Sequence, residues 1–330
     1  NVLHHADAPE RRVFPSRDAL GDALGGVVYL ALILNGDLAA FVETNTSFSY
    51  YLAPAASQSA AVQVSVVMPV AGPSAGGSVL DVRGQGFRFL GGVLCRFGLT
   101  SRTVPGTIVN ASLVRCVSPP ISNPLGFALA AGGQKEFVEV TLNGQDYTSS
   151  LASFVAFDKS RVHVSSLVPF GGPLSGGTEV ILLGSGFADY NSHCQIGAGG
   201  PLVRAEVLNA SALSCTMPMH AQAELVAIEV TLNNDTSTHT LTSDGVTFDY
   251  FNASGVRIDS IAPLGGPSDG GTVVTLSGSG YVDRGGVFCR FGAQNSSVVE
   301  ASIRSSGELL CVSPSSENRN ALGDALGGVV

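Results

Sequence analysis

Tryptophan is absent from this chain, and charged residues make up 13% of it, about half the usual share. Sparse charge signals disorder only where apolar residues are sparse too, and here they reach 45%. The 17 Lys and Arg form no basic run, and against 26 Asp and Glu they leave a net charge of −9. That balance offers no counter-charge to nucleic acid or to an anionic membrane surface. Long apolar runs are missing as well: Val27 to Leu34 falls far short of the ~20 residues that span a bilayer. No signal peptide opens the sequence.

What the chain has instead is repetition. SSLVPFGGPLSGGTEVILLGSGF, Ser165 to Phe187, is followed by HCQIG and, further on, by ALSCTMP. VSVVMPVAGPSAGGSVLDVRGQGF (Val64 to Phe87) leads to LCRFG and LVRCVSPP, and IDSIAPLGGPSDGGTVVTLSGSGY (Ile258 to Tyr281) leads to FCRFG and LLCVSP. The Gly-Pro pairs at Gly72-Pro73, Gly172-Pro173 and Gly266-Pro267 set a spacing of 100 and then 94 residues. A repeat of about 95 residues is long enough for its own hydrophobic core.

The six cysteines fall in pairs, Cys95/Cys116, Cys194/Cys215 and Cys289/Cys311, separated by 21, 21 and 22 residues. One pair per repeat reads as one disulfide per module, the rival being a reduced, buried pair. Six N-x-Ser/Thr acceptors, Asn45, Asn110, Asn209, Asn234, Asn252 and Asn295, favour the oxidised reading and secretion. Asn110, Asn209 and Asn295 lie between the two cysteines of their repeats, at places read as related.

Within each repeat the order is constant: a short strand, a Pro and Gly-rich loop, a strand rich in β-branched residues, and a Gly-x-Gly turn before Phe87, Phe187 or Tyr281. Two cysteine strands follow, and then, in the complete modules, a closing hairpin with its turn at Asn-Gly or Asn-Asn. About seven short strands per module predict an immunoglobulin-like β-sandwich. Lack of the Trp that packs on an immunoglobulin disulfide argues against a classical immunoglobulin domain. Residues 1 to 52 match only a closing half: VVYLALILNGDLAAFVETNTSFSYY parallels Lys135 to Asp158 and Glu224 to Phe251, with Asn35-Gly36 and Asn143-Gly144 as hairpin turns. Glu317 to Val330 repeats the text of Ser16 to Val28 and stops where that hairpin should begin, which predicts a window on a longer array.

The run hydrophobic-x-Pro-x-x-Gly-Pro-x-x-Gly-Gly-Thr, the Gly-x-Gly-Phe turn, Cys-Arg-Phe-Gly and the later Cys-x-x-Pro resemble the IPT/TIG domain, shared by plexins, the hepatocyte growth factor receptor and fibrocystin-like surface proteins. Ser78 replaces the Thr of Thr178 and Thr272, and Cys-Gln-Ile-Gly at 194 replaces Cys-Arg-Phe-Gly. The resemblance implies an all-β chain of tandem immunoglobulin-like (IPT/TIG, E-set type) sandwiches in an elongated array. Its boundaries are expected at 1–52 (a closing half), 60–158, 161–251, and 256–330 (truncated before its hairpin). Tandem arrays with cysteine pairs look most like fibrocystin-type and related extracellular proteins, including those of cilia and algal flagella.

No constellation for chemistry stands out, and none is expected: no catalytic residues, no cofactor and no metal site. LLGSGF and LSGSGY lack the following helix and the Lys-Ser/Thr of a phosphate loop, and Ser185 and Ser279 belong to the repeat. His4, His5, His163, His193, His220 and His239 share no spacing that would hold a metal. Asp259, Asp269 and Asp283 near the loops of the last module are read as solvated carboxylates in preference to calcium ligands. On their strands, Arg96 and Arg290 should point outward between a core Cys and a core Phe. The expected function is a structural or adhesive extracellular glycoprotein segment: a semi-rigid rod at a cell or ciliary surface or in a filament. Its partners would be proteins or copies of itself, with N-linked glycans and no membrane contact in this segment. The alternative is the ligand-binding ectodomain of a receptor, for which Phe127 to Gly133 is the place to look. An accessory role beside a polysaccharide enzyme ranks third, and a transcription factor fails for want of basic loops and reduced cysteines.

Overall fold

The computed structural model describes residues 27–32, 42–49, 62–98, 102–121, 133–237, 240–292 and 297–315. Strands dominate, and the described residues contain no α-helix. The chain divides into two compact units, residues 1–128 with 133–157, and residues 158–330 with 129–132.

The first unit opens with an antiparallel hairpin, β1 (Val27–Leu32) and β2 (Val42–Ser49). Its Leu30, Leu32 and Phe48 are about half exposed. The first full module follows, with β3 (Gln63–Met68), β4 (Ala71–Pro73), β5 (Val79–Gln85), β6 (Leu94–Phe97), β7 (Arg102–Asn110), β8 (Leu113–Val117), β9 (Gln134–Thr141) and β10 (Ser153–Phe157). These join in the order β3-β5-β8-β7-β6-β9-β10-β4, with only β4 running parallel to its neighbour. One ladder serves both faces of the sandwich because β7 changes partner along its length. Its first half pairs with β6, and from Gly106 onward it pairs with β8. Leu80, Val82, Phe97, Val138, Val140 and Phe154 meet in the core, as the period-two alternation of their strands requires.

The second module repeats this plan in the second unit. It runs β11 (His163–Val168), β12 (Gly171–Pro173), β13 (Glu179–Ser185), β14 (His193–Ile196), β15 (Leu202–Arg204), β16 (Glu206–Asn209), β17 (Ala212–Thr216), β18 (Leu225–Thr231) and β19 (Thr247–Phe251). The partner-switching strand is here cut in two at buried Ala205. Separate sheets β11-β13-β17-β16 and β12-β19-β18-β14-β15 result. A third module runs β20 (Arg257–Ala262), β21 (Val273–Ser279), β22 (Phe288–Phe291), β23 (Ser297–Ser305) and β24 (Glu308–Val312), in the order β20-β21-β24-β23-β22. No closing strand pair follows β24 among the described residues. Ile258 and Ile261 accordingly stand 60% and 44% exposed, where their counterparts Val164 and Leu167 are 3% and 4% exposed.

Consecutive modules are joined by single turns of 3-10 helix, Lys159–Arg161 and Ala253–Gly255. Each is capped by the side chain of the residue before it, Asp158 or Asn252, which accepts from the amide two positions on. The Asn-Gly turn expected at Asn143-Gly144 is present, with Gly144 at φ +79° and Asn143 Oδ1 accepting from the amides of Gln145 and Asp146. The simple hairpin expected around it is not. After the Thr141–Tyr147 bridge the chain bulges, and β9 and β10 pair again only at Phe137 and Ser153. Asn35-Gly36 lies outside the described residues.

The Gly-x-Gly-aromatic motif has a packing origin. A Cβ on Gly184 would overlap the carbonyl oxygen of His163 and meet the Phe187 ring at 2.8 Å, and Gly84 and Gly278 stand in the same relation to Gln63 and Arg257. Backbone cannot yield as a side-chain tip can. Gly184→Ala is therefore expected to cost about 1–3 kcal/mol of stability, measurable as a lowered urea midpoint with the slope unchanged.

Candidate functional site

The three cysteine pairs are bonded, Cys95–Cys116, Cys194–Cys215 and Cys289–Cys311, with Cα separations of 6.4, 6.5 and 6.2 Å. Each bond links the first cysteine strand to the second, and all six residues are buried. Cys95 and Phe97 point inward as expected, and Arg96 lies on the other face with its guanidinium 4.1 Å over the Tyr147 ring.

The bulged loop of each closing hairpin holds a polar clasp absent from the sequence expectations. Glu139 is buried, and its carboxylate accepts from the amides of Ser150 (3.1 Å) and Leu151 (3.0 Å) and from the Thr148 hydroxyl. These bonds hold Leu151 in the left-handed region at φ +58°. Ser150 in turn accepts from the Val64 amide at 2.9 Å, tying the loop to the first strand of its module. In the second module Glu229 accepts from Thr242 Oγ1 at 2.6 Å, and Asp244 Oδ2 accepts from the Val164 amide at 2.8 Å. Burial pushes the Glu229 carboxyl above the usual range, with the Asp244 charge adding and the Thr242 bond opposing. A carboxyl raised on folding holds its proton better in the folded state, so its contribution to stability falls as pH rises from the ordinary value through the raised one. Thr141 and Glu139, or Thr231 and Glu229, recur one residue either side of a core Val, a signal that the sequence does carry.

Asp244 also receives His163, whose Nδ1 lies 3.0 Å from Oδ1, while its Nε2 lies 2.8 Å from the Ser160 carbonyl. The Asp244 hydrogen bond, supported by that carbonyl, raises the imidazole above its ordinary value. The ion pair stabilises below the unfolded-state value and is lost as pH rises through the raised one. Proton NMR titration is expected to place His163 above 6.5, and Asp244→Asn to bring it back toward that value. An unchanged midpoint in the variant would remove Asp244 as the cause.

The remaining histidines do not converge. His220 stacks on Tyr250, centroids 4.6 Å apart, with Nε2 2.7 Å from Glu224, and His193 Nδ1 lies 2.8 Å from the Asn191 carbonyl. His4, His5 and His239 lie outside the described residues. Asp283 accepts from the amides of Gly285 and Gly286, which hold its carboxyl below the usual range. Asp259 pairs with Arg257 at 2.7 Å. Asp189 is half-exposed, and against partial desolvation its carboxyl is drawn down by the Ser192 and Asn191 amides and by Arg204, which grips it at 2.9 Å with one nitrogen on both oxygens. Among the described residues no group of three or more such side chains is placed to hold a metal ion. No helix among them is long and apolar enough to cross a membrane.

Four of the six sequon asparagines have exposed, described side chains: Asn110, Asn209, Asn234 and Asn252. Asn110 and Asn209 end equivalent strands, each accepting from the backbone amide two residues on. Asn295 is not their counterpart, because Ser305 holds that register against Glu308 in the third module. Asn295 itself, the Asn45 side chain and residues 127–132 of the insertion lie outside the described residues.

The chain is similar to several known proteins. Plexin-2 of Caenorhabditis briggsae is 27% identical over 215 residues, 64% of this chain and 11% of that protein. The chain thus spans about a tenth of the length of that relative. Among solved structures, the full extracellular region of plexin A4 aligns with 82% of this chain and 22% of its own at 15% identity and a TM-score of 0.45. A Bacteroides ovatus glucan-utilisation protein, SGBP-B, aligns with 80% of this chain and 59% of its own at 13% identity and a TM-score of 0.23. The family match itself covers residues 62–156, 163–250 and 257–323, and over these three tandem modules the chain belongs to the IPT/TIG domain family.

Proposed function

We propose that this chain is a non-catalytic, N-glycosylated segment of an extracellular protein, whose modules serve as a semi-rigid spacer and protein-contact surface at a cell surface or in a filament. One observation carries the reading. Each module has its own buried disulfide, and one short capped turn leads from the last strand of a module into the first strand of the next. Short linkers between β-modules restrict hinge motion, and disulfides keep small cores folded where no reductant competes. Exposed Asn110, Asn209, Asn234 and Asn252 supply acceptors for glycans that would keep unwanted contacts off the sheets.

A receptor ectodomain is the second reading, favoured by the match to Plexin-2. Imaging of natively purified material at molecular resolution, with glycans and neighbours retained, separates the two. Regular packing of these modules against copies or a fixed partner supports the structural role. Isolated rods with one bare apolar module surface would replace it with the receptor.

A further inference from the structure

The loop between β21 and β22 of the third module reaches back onto the second module through Arg284. Its carbonyl accepts from the Phe170 amide at 2.8 Å, and its Nε donates to Asp249 Oδ2 at 2.6 Å. The guanidinium carbon stands 4.2 Å from the centroid of the Phe251 ring. Arg284 is 19% exposed and Asp249 30%, so the pair is largely withdrawn from water and weakly screened.

The socket is held by contacts within the second module. Asp249 is fixed by its place on β19 beside Gly171 and by donating its amide to the Phe170 carbonyl at 2.8 Å. Gly171 leaves the room that Arg284 fills, since a Cβ there would meet Arg284 Cδ at 2.5 Å. On the other side, Asp283 pins the loop by accepting from the amides of Gly285 and Gly286 at 2.9 Å, and a Cβ on Gly285 would meet Pro169 Cα at 2.8 Å. The bonds span two modules and involve no residue of the Ala253–Gly255 turn.

From this geometry we infer that Arg284 is a key that locks the second and third modules into one rigid body, and that Asp249 with Phe251 forms the matching lock. The pair is not a general feature of the repeat. Three residues after the motif aromatic stand Leu90 and Tyr190 in the earlier modules, and Val155 holds the register of Asp249 in the first. A partly buried Asp facing a misplaced neighbour would lose its counter-charge, so the key also selects which module sits here. A planar guanidinium that stacks and pairs at once is not replaced by Lys.

Residual dipolar couplings on the full 330-residue chain test this directly. One alignment tensor is expected to fit the amides of the second and third modules together. In Arg284→Ala and Arg284→Lys that shared tensor is lost and each module fits its own, with amide shifts away from the joint unchanged. Asp249→Asn approaches the joint from the other module and guards against misfolding of the third; it is expected to give the same loss. The charge-swapped pair Asp249→Arg with Arg284→Asp restores part of the common tensor. Two tensors in the native chain, or one tensor surviving in both Arg284→Ala and Asp249→Asn, would overturn the lock.

Discussion

In the Phe248→Ala variant, amides of β18 and β19 are expected to exchange with solvent on the order of 10²–10⁴-fold faster, while those of β9 and β10 keep their native rate. The cause is the loss of a fully buried ring. Phe248 is 0% exposed, packs edge-on against Tyr250 with centroids 4.9 Å apart, and sits on the strand that closes the second core. Phe to Ala in such a place costs about 3–5 kcal/mol, because the cavity that remains collapses only in part. Peptide-resolved hydrogen exchange suits this chain, which has no Trp to report unfolding by fluorescence and several modules whose responses must be told apart. Phe154 occupies the same position in the first module and is also 0% exposed, so Phe154→Ala should reverse the pattern. Equal acceleration in both modules would show that the cores are not independent.

The sequence carries the sandwich because its signals are local and repeated three times. Gly184 abuts a carbonyl, Phe248 and Tyr250 alternate inward on β19, and Cys194 and Cys215 recur at the spacing of their counterparts, so each reading is checked against two others. The clasp was less legible. Glu139 and Glu229 look like ordinary outward residues of alternating strands, and only the folded structure brings a loop onto each, the bulge after Tyr147 onto Glu139 and the Thr242 loop onto Glu229. Least legible was the joint. In the sequence Asp283, like Asp259 and Asp269, reads as a solvated loop carboxylate, and the contact with the second module is made by the adjacent Arg284. Reading each repeat against the others averages away what differs between them. The signal lay in that difference: Arg replaces Leu90 and Tyr190 where Asp249 replaces Val155, a change of charge on both sides of one junction.

Removing one disulfide is expected to unfold one module and leave the others standing. In Cys194→Ala with Cys215→Ala, the stability of the second module should fall by about 3 kcal/mol, the loop entropy released when residues 21 apart are no longer tied. Loss of two buried sulfurs adds to this, since Cys194 and Cys215 are 0% and 2% exposed. The bond crosses from β14 in one sheet to β17 in the other, so it staples the two faces of the sandwich. Limited proteolysis at increasing urea, with disulfide mapping of the products, reads the result: cleavage moves into residues 163–251 while Cys95–Cys116 stays intact. Cys194→Ala alone is the harsher change, because it leaves a thiol free to exchange with the other two bonds. Native resistance in the double variant would mean that the core alone holds the module. Separate staples keep the loss of one bond from spreading to the next module. The Arg284 joint sets the limit of that independence, because unfolding the second module removes the socket formed by Asp249 and Phe251 and frees the third to swing.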